Sequence, residues 1–285
     1  MKRVVVTGGN SGIGLALCKQ LAQEDGCYVY LGSRNVEKGE KALASIVSSA
    51  PECKGKVEVL QVDTASDESV AKAAEAVKAS LPAGESLYGV VNNAGTGLQH
   101  GTTGAEIMNV NFYGPKRMVE AFLPLLSPSD GRIVNVGSGA GPMYVKAALS
   151  SDTERARMLC SCPESFDPLE ALAKSELARK EFLEDRSASG PYGCSKALLS
   201  AYSQLLGKLH PNILSSCCTP GFIDTAIVKG WGATKTPEEG TVSIRHCLLK
   251  PLEGNGYYYG SDGIRSPYHF MRNPGEPVYD GKIPF

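Results

Sequence analysis

Tyr192 and Lys196, in the run Tyr192-Gly193-Cys194-Ser195-Lys196, are the residues whose types and spacing best suit proton transfer. Four positions apart on a helix, they share one face, one turn apart. An ammonium beside a phenol favours the phenolate, so the spacing predicts a Tyr192 pKa below its ordinary value near about 10. Such a phenol gives or takes a proton near neutral pH. Of the 12 tyrosines, only Tyr192 has a lysine four residues on. A solvated helix face would show the same pair by chance, so the elements around it have to decide.

Those elements alternate. A β-branched run at 3–7 leads into Thr7-Gly8-Gly9-Asn10-Ser11-Gly12-Ile13-Gly14 and then an amphipathic run at 15–23. This is strand, glycine-rich turn, helix, the arrangement that brings a phosphate close to helix N–H groups. Further strands are predicted at 27–33, 56–62, 87–92, 131–137, 213–218 and 257–259. Helices are predicted at 36–49, 66–80 (Ser66 as N-cap), 105–126 and from Tyr192 to about 209. The order β-α-β-α-β implies a doubly wound parallel sheet of the Rossmann type with helices on both faces. Ligands bind such sheets at the carboxyl ends of the strands. Gly8, Arg34, Asp63, Asn93 and Ser138 all fall at or just past those ends.

Arg34 follows the second strand, and no acidic residue stands between the start of that strand and Glu37. An acid there binds a ribose 2′-OH and a base accommodates a 2′-phosphate, so Arg34 favours NADP(H) over NAD(H). Residues 145–190 interrupt the alternation. They are expected to form one or two inserted helices, with Asp167 as N-cap, Pro168 at N1 and Glu170 at N3. Thr236-Pro237-Glu238-Glu239 reads as a capping box opening a late helix. A loop at 222–240 follows the sixth strand, and a Gly- and Pro-rich tail at 260–285 is expected to wrap the surface. No linker or repeat divides the 285 residues, so one domain is expected.

Composition limits the partners. A net charge of −1 argues against a basic nucleic-acid face. No apolar stretch approaches the roughly 18 residues of a membrane span. Nine cysteines at irregular spacing and four scattered histidines (His100, His210, His246, His269) suggest neither a disulfide framework nor a metal site. Free thiols suit a reducing cytoplasm.

The set of motifs resembles the short-chain dehydrogenase/reductase family over nearly the whole chain. Thr7-Gly8-x-x-x-Gly12-x-Gly14 looks like its cofactor turn and Asn92-Asn93-Ala94-Gly95 like its fourth-strand motif. Asn111, Ser138, Tyr192 and Lys196 stand where its catalytic tetrad stands, and Pro220-Gly221 matches its nicotinamide-side loop. The insertion before Tyr192, Cys217-Cys218-Thr219-Pro220-Gly221 and the segment 233–240 resemble in particular the family's NADPH-dependent carbonyl reductases. Ser11 departs from them, since they usually carry a lysine there for the 2′-phosphate.

The resemblance implies reduction of an aldehyde, ketone or quinone by hydride transfer from NADPH. Tyr192 would deliver the proton, and Ser138 would hold the carbonyl oxygen and stabilise the developing alkoxide. Lys196 would bind the nicotinamide ribose, and Asn111 would hold a relay water. Cofactor contacts would come from Gly8, Asn10, Ser11, Gly12, Ile13 and Gly14, from Asp63 at the adenine, and from Asn92, Asn93 and Ala94. Pro220, Gly221, Ile223 and Thr225 would serve the nicotinamide side. Met143, Tyr144, Phe222 and Trp231 would line the substrate pocket. The insertion would cover the face through which many relatives pair, giving a monomer. Two other activities fit less well. One is an NAD(P)-dependent alcohol or steroid dehydrogenase working in the oxidative direction, whose NAD-dependent form Arg34 disfavours. The other is a non-catalytic NADP(H) sensor, which would usually have lost a tetrad residue.

Overall fold

The structure is a computed structural model that describes residues 1–97 and 102–285; His100 lies outside the described residues. Seven strands form one parallel sheet: β1 (Arg3–Val6), β2 (Tyr28–Ser33), β3 (Val57–Gln61), β4 (Gly89–Asn92), β5 (Arg132–Val136), β6 (Leu214–Cys218) and β7 (Tyr257–Tyr259). Their order across the sheet is β3-β2-β1-β4-β5-β6-β7. The chain grows outward from β1 to β3, then returns to β1's other side and grows the opposite way. The reversal opens a crevice above the carboxyl ends of β1 and β4.

Valines at 4, 5 and 6, at 90 and 91, and at 134 are all buried, as expected of strands covered on both faces. One face is packed by α1 (Gly12–Gln23), α2 (Val36–Ser49) and α11 (Val242–Leu249), with Leu17, Leu21, Ile46, Ile244 and Leu248 in its core. The other is packed by α3 (Asp67–Ser80), α4 (Gly104–Met108), α5 (Gly114–Phe122) and α10 (Pro191–Leu209), around Val77, Phe112, Phe122, Leu198 and Leu205. Ser66 caps α3 by accepting from the Ser69 N–H. Among the described residues no helix is long and apolar enough to cross a membrane.

Four expectations change. The helix expected at 105–126 is broken: between α4 and α5, Asn109–Tyr113 is π-helical, and a 3₁₀ turn, Leu123–Leu125, ends it. Pro115 explains part of the break, because it has no N–H to offer the Asn111 carbonyl four residues back. The insertion holds more than two helices. After Ser138 come α6 (Ala140–Ser151), α7 (Thr153–Cys160), α8 (Asp167–Leu177) and α9 (Lys180–Glu184). Asp167 is the first residue of α8, not its cap; Phe166 occupies the cap position, and its half-buried ring stacks on Phe112, 5.3 Å between centroids. The Thr236–Glu239 box forms as read, but it opens a 3₁₀ turn (Glu239–Thr241) ahead of α11.

The insertion is tied down from within. The Glu176 carboxylate, 1 % exposed, sits between Arg155 at 2.5 Å and Arg179 at 2.8 Å. Helices α7 and α8 pack on α10, and α8 and α9 pack on α4. Lys116 of α5 lies 4.9 Å from the centre of the Phe166 ring. The inserted helices therefore cover the outer faces of α4 and α10.

Candidate active site

Two loops at the carboxyl ends of β1 and β4 are sewn together. The Thr7 hydroxyl accepts from the backbone N–H groups of Asn93 and Ala94 at 3.0 and 2.9 Å. The Asn93 amide donates back to the carbonyls of Thr7 and Gly8. Gly8 and Gly12 adopt left-handed φ of 64° and 52°, which only glycine holds without strain. Gly14 has no room for a side chain: a Cβ would stand 2.2 Å from the Gly8 carbonyl oxygen. The turn feeds α1, whose first turn has no acidic residue and whose Ser11 side chain does not cap it. Its leading N–H groups are thus free for an anionic ligand. An open helix start beneath a turn stripped of Cβ atoms fits a dinucleotide pyrophosphate.

Around this turn stand the other predicted cofactor residues. Asn10 is half-buried and Ser11 exposed. Ile13 packs with Ile223 against Gly240, where a Cβ would come within 3.1 and 2.9 Å of their Cγ1 atoms. A Cβ at Gly12 would lie 3.5 Å from Thr225 Cγ2, so the loop after β6 reaches over the start of α1. Pro220 and Gly221 head that loop, Gly221 at φ 92°. Arg34 is exposed just past β2 and makes no ion pair among the described residues. Asp63, just past β3, accepts from the Ala65 N–H and shapes its own loop. Asn92 turns away from the crevice. It is 3 % exposed and donates to Asn135, which donates to Ser203, so its side chain serves the core between β4, β5 and α10.

The tetrad residues converge beside this crevice. Ser138 lies two residues past β5 and Tyr192 at the start of α10, where Pro191 occupies the first position. Gly193 lets α10 approach α6 and the loop before it, since a Cβ would meet the Ala188 carbonyl at 1.8 Å and that of Ala140 at 3.2 Å. Asn111 is buried in the π-helical segment. Its side chain accepts from the Thr96 N–H at 2.9 Å and donates to the Thr96 carbonyl and to Ser195 Oγ. Ser195 in turn donates to the Tyr192 carbonyl at 2.7 Å. Gly95 marks the meeting point, because a Cβ there would lie 3.4 Å from Asn111 Oδ1 and 3.7 Å from Lys196 Nζ.

The electrostatics differ from the expectation. Lys196 Nζ lies 5.8 Å from the Tyr192 ring centre and donates to the Val136 carbonyl at 2.8 Å. Burial lowers its pKa from 10.5 to about 8. Burial raises that of Tyr192, and the neighbouring Ser138 hydroxyl offsets part of the rise. The predicted fall at Tyr192 is thus reversed here. Four-residue spacing sets the shared helix face, but the ammonium is drawn to a strand-end carbonyl.

Of the proposed pocket residues, Tyr144 is a core side chain. It is 3 % exposed, its hydroxyl accepts from Arg155, and it packs near Cys194. Met143, Phe222 and Trp231 are exposed large apolar side chains, on α6 and on the loop after β6. The tie that Thr7 makes between the two loops, and the parts played by Thr96 and Ile227, were not expected from the sequence. Ile227 approaches Tyr192 across Gly97, whose Cβ position is 3.4 Å from the Ile227 side chain and 3.7 Å from the Tyr192 ring. Thr7 carried a signal, a hydroxyl one residue before the first turn glycine; Ile227 carried none. All nine cysteines are free thiols.

The chain is similar to known proteins over most of its length. The profile of the family described as short chain dehydrogenase matches residues 2–150. (+)-Neomenthol dehydrogenase of Arabidopsis thaliana is 32 % identical over 285 residues, spanning 87 % of this chain and 92 % of that protein. The structure of salutaridine reductase from Papaver somniferum superposes with a TM-score of 0.77 at 26 % identity, covering 91 % of this chain and 99 % of that one. NADPH-bound carbonyl reductase from chicken fatty liver shares the fold at a TM-score of 0.66 and 20 % identity, with 94 % and 99 % covered.

Proposed function

The chain belongs to the short-chain dehydrogenase family, and on that premise we propose that it reduces an aldehyde, ketone or quinone to the alcohol with NADPH. The observation that carries the proposal is that the Ser138 hydroxyl neighbours that of Tyr192, with Lys196 and Asn111 meeting at Gly95. The names of the relatives support it: one is a dehydrogenase of the alcohol neomenthol and another is a reductase, of salutaridine.

In this reading α1 and the turn Gly8–Gly14 hold the pyrophosphate, Asn93 and Ala94 fix that turn, and Asp63 lies toward the adenosine end. Pro220, Gly221, Ile223 and Thr225 border the nicotinamide end. When bound, the nicotinamide supplies the hydride that the carbonyl carbon accepts. Ser138 donates a hydrogen bond to the carbonyl oxygen and stabilises the charge that develops there. Tyr192, held protonated by burial, gives its proton to the same oxygen. Lys196 and Asn111, which meet at Gly95, hold the way by which that proton is replaced. The ammonium of Lys196 also faces the ribose side.

Arg34 is the cation for a 2′-phosphate, and without a lysine at position 11 it acts alone. A charge-assisted contact of this kind contributes about 1.5–3 kcal/mol. Arg34→Ala is therefore expected to weaken NADPH binding by roughly 10–100-fold and leave NADH binding within about twofold. Consumption of NADPH and NADH over a panel of aromatic aldehydes, quinones and ketones tests the whole reading. Equal use of both cofactors, with no effect of Arg34→Ala, would remove the NADPH assignment. Tight NADPH binding without turnover of any carbonyl would favour the sensor.

We further propose a monomer, because α7–α9 cover the outer faces of α4 and α10. Light scattering is expected to give about 30 kDa, and a mass near twice that would refute it. The nine free thiols suit a cytosolic site of action; a tagged chain found in an oxidising compartment would count against it.

A further inference from the structure

The tail after β7 does more than wrap the surface. Gly260 follows the strand at once, and the space its Cβ would fill is taken by Asp262 Oδ1 at 2.8 Å, Ser266 Oγ at 2.9 Å and Arg272 Nη1 at 3.2 Å. These groups belong to a clamp. The Arg272 guanidinium, 3 % exposed, makes three hydrogen bonds to the Asp262 carboxylate at 2.9–3.1 Å and donates to the carbonyls of Glu276 and Pro277. A nearly buried, fully bonded pair of this kind fixes geometry more than it adds stability. What it fixes are the two ends of a strap. At one end Ser261 lies against Gly221, 3.1 Å from where a Cβ would stand. At the other, Met271 Sδ lies 2.8 Å from the Cβ position of Gly139.

Those two glycines lie on the β4 side of the crevice, past the ends of the adjacent strands β5 and β6. Gly221 heads the loop after β6, and Gly139 directly follows Ser138. The strap thus joins the loop ends of β5 and β6 next to Ser138. Met271 stays 46 % exposed, though its neighbour Arg272 is buried, and Met143 of α6 is 44 % exposed. A methionine held by its backbone, resting on a glycine beside the serine and open on its outer side, has an unfilled apolar face. Thioether side chains adapt to irregular apolar partners.

We infer that the C-terminal strap is a wall of the substrate site and that Met271 is a specificity-determining residue, contacting the apolar body of a bulky carbonyl substrate whose oxygen is held by Ser138 and Tyr192. The inference rests on the carbonyl-reductase reading above. Arg272 and Asp262 act as positioning residues. Small aliphatic aldehydes would reach Ser138 without touching Met271, whereas a polycyclic or branched ketone would not.

The test compares wild type, Met271→Ala and Met271→Leu on one small aliphatic aldehyde and one bulky alicyclic ketone. Because Met271 is half-exposed, Met271→Ala is expected to fold with an unchanged Tm. Its kcat/KM for the bulky ketone is expected to fall about tenfold, chiefly through KM, while the aldehyde value stays within twofold. Met271→Leu should restore most of the loss. Equal changes for both substrates, or none, would overturn the inference.

A second readout does not need turnover. Peroxide oxidises an accessible methionine to its sulfoxide, with water as the other product, and mass spectrometry reads each site. The bulky ketone with NADP⁺ is expected to slow oxidation of Met271 and leave Met1 unaffected. Protection without turnover would keep the wall and remove the reductase reading; turnover without protection would do the reverse.

Discussion

Tyr192→Phe is expected to lower carbonyl reduction by about 10²–10⁴-fold while leaving NADPH binding within twofold. Phenylalanine keeps the ring that packs beside Gly97 and removes only the hydroxyl that meets Ser138. Single-turnover oxidation of NADPH measures the chemical step, and quenching of the protein's one tryptophan, Trp231, follows binding. A variant that keeps the full rate would place the proton donor elsewhere. The raised Tyr192 pKa gives this prediction a direction. A buried phenol stays protonated through neutrality, which suits donation to a carbonyl oxygen. Alcohol oxidation needs the phenolate at the same position. In wild type, reduction is therefore expected to be level through neutral pH and oxidation to climb toward alkaline pH. Oxidation fastest near pH 6 would contradict the assignment.

The parts of this site that could be read in the sequence are those set by local chemistry. Valine runs alternating with amphipathic stretches specify a parallel sheet covered on both faces, and the seven strands lie within two residues of their expected ends. Gly8, Gly12 and Gly14 could be read because a turn that admits a phosphate has few alternatives. Side-chain direction could not. Tyr144 and Met143 are adjacent on α6 and so point about 100° apart. Both cannot face one cleft, and composition gave no reason to choose. Lys196 shares a helix face with Tyr192, yet its ammonium is drawn to the Val136 carbonyl, a partner 60 residues away. Met271 lies in a tail without periodicity. Its place beside Ser138 depends on the clamp between Arg272 and Asp262, which only the folded chain assembles.

Lys196→Met is expected to abolish most turnover and yet not to destabilise the protein at neutral pH. Burial lowers the Lys196 pKa from 10.5 to about 8. Below pH 8 the folded chain carries a buried ammonium that the unfolded chain would hydrate. At about 1.4 kcal/mol per pH unit, the fall from 10.5 to about 8 costs roughly 3 kcal/mol. Methionine removes that cost but leaves the Val136 carbonyl without its donor, a loss of about 1–3 kcal/mol. The net change at pH 7 is a gain of about 0–2 kcal/mol, no more than a few degrees in Tm. The sign of the pH dependence separates this from simple packing. Between pH 8 and 10.5 the unfolded lysine binds more protons than the folded one, so the lysine's contribution becomes more favourable as pH rises. The variant lacks that term, and its Tm advantage over wild type is expected to shrink across the same interval. Thermal unfolding of both proteins from pH 6 to 10 checks it. A Tm difference that stays constant with pH would mean that Lys196 does not titrate as a buried cation. It would also remove the physical reason for reading this lysine as held at a cost to stability for the sake of proton transfer.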